Sequence, residues 1–188
     1  KAPGIFSAGA DITEFRDIAK DAQRRLENAA AIRDAVKALK TFPKPVIAKI
    51  EGDCIGGGCS LVLACDMRFA VAQARFGITP ARLGLVYNIQ DTKSLIDLVG
   101  PAQAKYLLFT ARLIDAAEAR RIGLLNDIIA AEEMAACVDD IARQMARLSQ
   151  HSIRTMKSMI QRITEGQNED DEVTKSLFQA CYDGVDYK

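Results

Sequence analysis

Three consecutive glycines, Gly56, Gly57 and Gly58, constrain this chain more than any other feature. They lie within Glu51 to Asp66, E-G-D-C-I-G-G-G-C-S-L-V-L-A-C-D, after the apolar, β-branched run Val46 to Ile50 and before a run of helix formers. The order predicts strand, tight turn, helix. Glycine tolerates positive φ and lets another molecule approach the main chain closely. The first turn of a helix carries N–H groups without an internal acceptor. Donors aimed out of such a turn suit a negative oxygen, either a phosphate or a developing oxyanion. On the glycines alone, a tight turn with nothing bound is the simpler reading. No G-K-[ST] follows, so this is not a P-loop, and the spacing is a poor match to the G-x-G-x-x-G dinucleotide fingerprint.

Upstream, Gly4 to Ile12 reads G-I-F-S-A-G-A-D-I, a short apolar strand ending in small residues around a glycine. Together with P-K-P-V-I-A-x-I-x-G-x-x-x-G-G-G-C-x-L-x-L-A-C-D it resembles the enoyl-CoA hydratase/isomerase (crotonase) family. The resemblance continues through R-F-G-I-T-P-A-R-L-G-L, E-A-R-R-I-G-L-L-N and C-Y-D-G-V-D-Y, so it covers essentially the whole chain. It implies a crotonase-like α/β fold, a βαβ spiral core with a helical C-terminal region, assembled as a homotrimer or a dimer of trimers. It also implies an acyl-CoA substrate whose thioester carbonyl oxygen is held by two main-chain N–H groups. By motif match these belong to Ala10 and Gly57, with Ala8, Asp11 and Gly56 among the substrate-binding residues. The adenine and pyrophosphate are expected near the Ala8 to Asp11 turn. CoA arrives as part of the substrate, and no metal or redox cofactor is implied. Family members carry a β-rich stretch before the first motif and a helical tail after the last. Neither is recognisable here, and the chain starts at Lys1 without Met. The first sheet is therefore expected to be short, with an unpaired edge.

A chain of 188 residues can bury a sizeable core. The expected organisation is a core over residues 1–130 and a helical region over 131–188 that covers the pocket and builds the oligomer. Lys and Arg balance Asp and Glu at 25 each, which gives nucleic acid or an anionic membrane no electrostatic advantage as a partner. No apolar run approaches transmembrane length, and no signal peptide is visible, so the cytoplasm is the default location. The five cysteines show no C-x-x-C pair or zinc spacing and read as small core residues of a reducing compartment.

Along the chain, Ile5 to Ala8 reads as a strand end and Asp11 to Asp21 as a polar loop. Ala22 to Lys40 places Leu26, Ala29, Ile32, Ala35, Val36 and Leu39 on one helical face, and Phe42-Pro43-Lys44-Pro45 ends it. Val46 to Ile50 is a buried strand, Ser60 to Cys65 a short helix, Met67 to Ala72 a strand, and Arg75-Phe76-Gly77 begins another. The alternation predicts right-handed crossovers and a largely parallel sheet, with ligands beyond the carboxyl ends of the strands. Helices are predicted over Asp91 to Val99, stopping at Gly100-Pro101, and over Ala102 to Phe109. Asp115 and Glu118 look like a capping box, Gly123 a helix stop, and Leu124 to Ile129 a strand. Amphipathic helices follow over Glu132 to Leu148, Ile153 to Thr164 and Glu169 to Tyr182. The acidic stretch before Glu172 reads as a solvated turn and helix start.

An oxyanion hole favours enolate formation, but the side chains facing the substrate choose the reaction. Hydratases of the family use two glutamates to manage one water. At the matched positions this chain has Ser60 and Pro80. Serine is a poor base without a neighbouring one, and proline has no acid-base group. Two-glutamate hydration is therefore not expected, nor is the isomerase mechanism that uses the second position. Asp53, Asp11, Asp66 and Glu14 are other acids in the neighbourhood, each with a simpler structural reading. The segment I-T-P-A-R-L-G-L-V-Y-N resembles methylmalonyl-CoA decarboxylase, a family member without the glutamate pair. That resemblance makes Thr79 and Tyr87 candidates to orient a carboxylate and Asn88 an added donor. A polar loop at Tyr87-Asn88 and a strand end at Thr79-Pro80 explain the same residues equally well. The decarboxylase pattern has histidine where this chain has Ala10 and glutamate where it has Ser60, so the pocket is a hybrid. His151 reads as a helix-end or surface residue, Lys157 and Arg162 as a solvated helix face rather than a CoA-phosphate contact, and Arg82 as a structural cation near the pocket. The expected function is an acyl-CoA enzyme of this family. Decarboxylation and non-catalytic acyl-CoA binding are the alternatives.

Overall fold

The computed structural model describes residues 4–9, 11, 18, 20–184 and 187. The predicted loop between Asp11 and Asp21 falls largely outside them. Two compact units are present, one of Lys1–Thr41 with Val46–Ala135, the other of Phe42–Pro45 with Ala136–Lys188.

In the first unit the chain deals its strands alternately to two sheets. Strands β1 (Ile5–Ser7), β3 (Asp53–Ile55), β5 (Arg75–Gly77) and β6 (Leu113–Asp115) form one, in the order β1-β3-β5-β6. Strands β2 (Ile47–Ile50), β4 (Met67–Ala70) and β7 (Asp127–Ile128) form the other, in the order β2-β4-β7. The second sheet is wholly parallel. The first is parallel from β1 to β5 and closes with β6 antiparallel to β5. The predicted single, largely parallel sheet is thus two interleaved ones, and β6 is a strand the sequence pattern does not mark.

The Val46 to Ile50 run does not lead directly into the glycines, as its pattern predicts. It ends at Ile50, and β3 intervenes in the other sheet. Gly52 is where the chain changes sheets. A Cβ there would lie 2.4 Å from the carbonyl carbon of Gly4, so no side chain fits. Helix α2 (Gly57–Leu63) begins three residues before the predicted Ser60, because Gly56 alone makes the turn with φ 57°. Strands β4 and β7 are shorter than predicted. Only Phe69 and Ala70 find partners in Asp127 and Ile128.

Helix α1 (Ala22–Thr41) stops at the predicted Phe42-Pro43 break. The two helices predicted around Gly100-Pro101 are both present; they run on as α3 (Ile89–Thr110), broken by the non-helical Gly100 with φ 75° and ψ 162°. Asp115 caps α4 (Ala116–Arg121), accepting from Glu118 N at 2.8 Å. Glu118 does not complete the capping box; Arg121 donates to both its carboxylate oxygens at 2.7 Å instead. The core is apolar, with Ile50, Cys54, Val62, Phe76, Leu95 and Met134 fully buried. Arg68 is buried on β4, and its guanidinium donates to the carbonyls of Leu124 and Cys65 at 2.9 and 2.6 Å. Burial holds its pKa below the usual arginine value. Asn126 brackets the Arg68 main chain, accepting from its N–H at 2.8 Å through Oδ1. The G-L-L-N segment therefore serves the β4–β7 pairing.

The second unit holds most of α5 (Met134–Ala146), together with α6 (Gln150–Thr164) and α7 (Glu172–Gln179). Ser149 caps α6, and Asp171 with Thr174 forms a capping box on α7. His151 lies in the first turn of α6, its Nε2 3.4 Å from Leu177 O. Lys157 donates to Lys44 O at 3.0 Å, and Arg162 contacts Asp171 at 3.3 Å, so both sit in local structure. Met156, Ile160 and Ile163 are exposed along one side of α6. Among the described residues, no helix is long and apolar enough to cross a membrane.

Candidate active site

The two glycine-bearing turns of the sequence lie against each other. Strands β1 and β3 are parallel neighbours, so the turns that follow them leave the same end of the sheet. Gly9 has φ 86°, and a Cβ on it would sit 3.0 Å from Gly57 N and 3.1 Å from Ile55 O. A Cβ on Gly58 would lie 2.6 Å from Ser7 Cβ. The end of β1 is therefore pressed onto the start of α2, at a distance only glycines permit. Gly56 N donates to Gly77 O at 2.8 Å, tying the turn to β5. Gly57 opens α2 on the surface, and its N–H has no acceptor among the described residues. That is the donor the motif assigns. Ala10, the other donor, lies outside the described residues, as does Glu14. Ala8 and Asp11, on either side of the Gly9–Ala10 pair, are exposed.

One turn into α2, Ser60 is 3% exposed, and its Oγ lies 2.8 Å from the phenol oxygen of Tyr87. Burial pushes the Tyr87 phenol well above its usual range, the hydrogen bond with Ser60 pulling the other way. Tyr87 is thus a neutral hydroxyl across the ordinary pH range. Thr79 and Pro80 stand at the head of a 3₁₀ turn, Pro80–Leu83, which ends in Gly84 with φ 67°. Proline suits that first position, where no backbone donor is needed. Thr79 O accepts from Arg82 N at 3.1 Å, and Arg82 itself is exposed. Asn88 is the N-cap of α3. Its Oδ1 accepts from Asp91 N at 2.9 Å and its Nδ2 donates to Asp91 Oδ2 at 2.8 Å. Of the candidates, the structure joins Ser60 with Tyr87 and commits Asn88 to a helix cap.

The remaining acids divide clearly. Asp53 is held by Arg75 through Nε at 3.1 Å and Nη2 at 2.5 Å, and the guanidinium keeps its pKa below the usual carboxylate value. Asp66 accepts from Val46 N at 2.6 Å and fixes the entry to β2. Asp91 is the acid sequence reasoning missed. Its position reads as an ordinary first-turn helix acid, yet it is 2% exposed. Cys54 and Cys59 are buried beneath the glycine turn, and Cys59 Sγ donates to Cys54 O at 3.0 Å. Its hydrogen bond to Cys59, together with burial, pushes the Cys54 thiol up, away from nucleophilic thiolate. Among the described residues, no group of three His, Cys, Asp or Glu could hold a metal.

Comparison with known proteins places this geometry. The family model for enoyl-CoA hydratase/isomerase matches residues 2–185. A crotonyl-CoA hydratase of Syntrophomonas wolfei is 35% identical over 187 residues, 97% of this chain and 70% of that one. A short-chain-enoyl-CoA hydratase of Clostridium acetobutylicum is 35% identical over 157 residues, 84% of this chain and 59% of the relative. The chain therefore spans between 59% and 70% of the length of these two curated relatives. An enoyl-CoA hydratase/isomerase family protein from Hyphomonas neptunium superposes with TM-score 0.92 at 39% identity, over 96% of this chain and 69% of that one. A methylmalonyl-CoA decarboxylase structure superposes with TM-score 0.77 at 27% identity, over 99% and 71%. The spiral of short strands is the crotonase fold, and the chain belongs to the enoyl-CoA hydratase/isomerase family.

Proposed function

We propose that the protein acts on an acyl-CoA thioester, holding the carbonyl oxygen between the main-chain N–H groups of Ala10 and Gly57 and stabilising the enolate that forms beside it. The observation that carries this is the approach of the Gly9 turn to Gly57 N. Preorganised donors gain strength as charge develops on the oxygen, and they need no rearrangement to do so. With Ser60 and Pro80 at the positions matched to the hydratase glutamates, the site works without two-carboxylate activation of water. CoA enters with the substrate, and Ala8, Asp11 and Gly56 border the place where it binds. Self-association as a trimer or hexamer completes the reading, supported by the exposed apolar side of α6.

The Ser60–Tyr87 pair favours a second, narrower reading, decarboxylation. The bond from the α-carbon to the carboxylate breaks and CO₂ leaves. The electron pair stays as the thioester enolate, and a proton from water then returns to the α-carbon. No base is required. The pair needs only to orient the carboxylate, and a neutral phenol does so without repelling it. Thr79 stands close by in sequence as a further hydroxyl.

Incubating the protein with crotonyl-CoA and methylmalonyl-CoA, and reading the CoA products by mass, tests both readings. Loss of CO₂ from the methylmalonyl group supports decarboxylation. Water gained on the crotonyl group overturns the argument from Ser60 and Pro80 while keeping the oxyanion hole. Tight binding of acyl-CoA with no turnover of any thioester would make this a binding subunit.

A further inference from the structure

We infer that Asp91 is a positioning residue for Tyr87, acting through the Asn88 side chain to hold the phenol within hydrogen-bond reach of Ser60. Asp91 is 2% exposed in the first turn of α3, where the helix dipole favours a negative charge. A buried carboxylate is tolerated only with donors in place. Asn88 supplies one through Nδ2 at 2.8 Å and takes Asp91 N in return at 2.9 Å. An ordinary N-cap satisfies a backbone donor only. Here the second bond, between the two side chains, locks the cap residue itself. Thr92 Oγ1 adds a longer bond to Tyr87 O at 3.4 Å.

Together these bonds grip the chain on the C-terminal side of Tyr87. The N-terminal side is looser. Leu85 N donates to Pro80 O at 3.0 Å, and Val86 makes no hydrogen bond among the described residues and is 92% exposed. The orientation of Tyr87 therefore depends on the start of α3. Ser60 Oγ is the group in contact with the phenol, at 2.8 Å, while Cys59, Asp91 and Cys54 add electrostatic influences that keep it protonated.

The functional weight of this inference rests on Tyr87 facing substrate. Its test reads the phenol directly, so its failure and the failure of the acyl-CoA reading are told apart. The full chain, labelled at tyrosine Cζ with carbon-13, is titrated by NMR, with Tyr87→Phe assigning one of four tyrosine signals. The wild-type Tyr87 signal stays unmoved to about pH 11, where an ordinary phenol is largely ionised. Asp91→Asn keeps an acceptor for Asn88 and stays unmoved as well. Asp91→Ala brings the midpoint down toward about 10. Asn88→Ser does the same while keeping a good helix cap, and it decides the matter if Asp91→Ala does not fold. A Tyr87 signal that stays unmoved in Asn88→Ser overturns the inference. So does an Asp91→Asn protein that titrates like Asp91→Ala.

Discussion

Ser60 and Tyr87 share two hydroxyl hydrogens, and one of them lies in the bond that joins the pair. The other remains for a ligand oxygen. Tyr87→Phe removes the phenol and is expected to lower the turnover of a carboxylated thioester at least about a hundredfold with little change in KM. Single-turnover kinetics checks this. A second expectation concerns alkali. The folded protein keeps the Tyr87 proton above the pH at which an unfolded chain releases it, near 10. The phenol therefore adds its full stability below that pH, and the contribution falls away as pH rises toward the folded value. Denaturation at pH 9 and pH 11 should show a steeper loss for the wild type than for Tyr87→Phe. Sequence showed Ser60, Pro80 and Tyr87 by motif position, because motifs fix identity. It did not show that Ser60 meets Tyr87, since that contact joins α2 to a segment beyond two further strands. Nor did it show that Asp91 is buried, because a first-turn acid looks the same on either face of a helix.

The elements depend on glycine at several places for different reasons. Gly9→Ala puts a side chain at φ 86° and 3.0 Å from Gly57 N. The conformation alone costs about 1–2 kcal/mol, read as a fall of roughly 2–8 °C in Tm. Turnover should fall further than the stability loss explains, because the Cβ crowds the donor itself. Gly100→Ala meets no neighbouring atom within 4 Å, so only its φ of 75° is strained. It should lower Tm by a similar amount and leave thioester turnover unchanged. Long helices were legible from their breakers, as at Phe42-Pro43 and Gly100-Pro101, but the apolar face read on α1 buries only Val36 and leaves Leu26 and Ile32 exposed. Strand β3 was not. Three residues, Asp53–Ile55, are too few to show alternation, and Gly52 reads as part of the turn rather than as a passage between sheets. Strand β6 is hidden in the same way, its third residue doubling as the N-cap of α4.

At the scale of the whole molecule, Asp53, Glu118, Asp127 and Asp171 all have their pKa values held down, by Arg75, Arg121, the Ile128 N–H and the Thr174 N–H respectively. Each stabilises the fold above the unfolded carboxylate pKa, near 4, and its contribution is lost as pH falls through the lower folded value. The pairs are exposed enough for solvent to screen them, so the loss below pH 4 should be gradual and should shrink in high salt. Urea titrations at pH 7, 4 and 3 check it. The alternation of strands between two sheets also bears on how the molecule reaches its native state. Strand β2 finds β4, and β3 finds β5, across the short α2 segment, so these pairings close small loops. Strand β1 reaches β3 only across the whole of α1. Loop-closure entropy rises with separation, which places the docking of β1 late in folding. On the proposed reading, the donor on the β1 side comes to Gly57 only with that docking, so a chain that has already built its central strands would still lack it, and thioester binding is expected to report the arrival of β1.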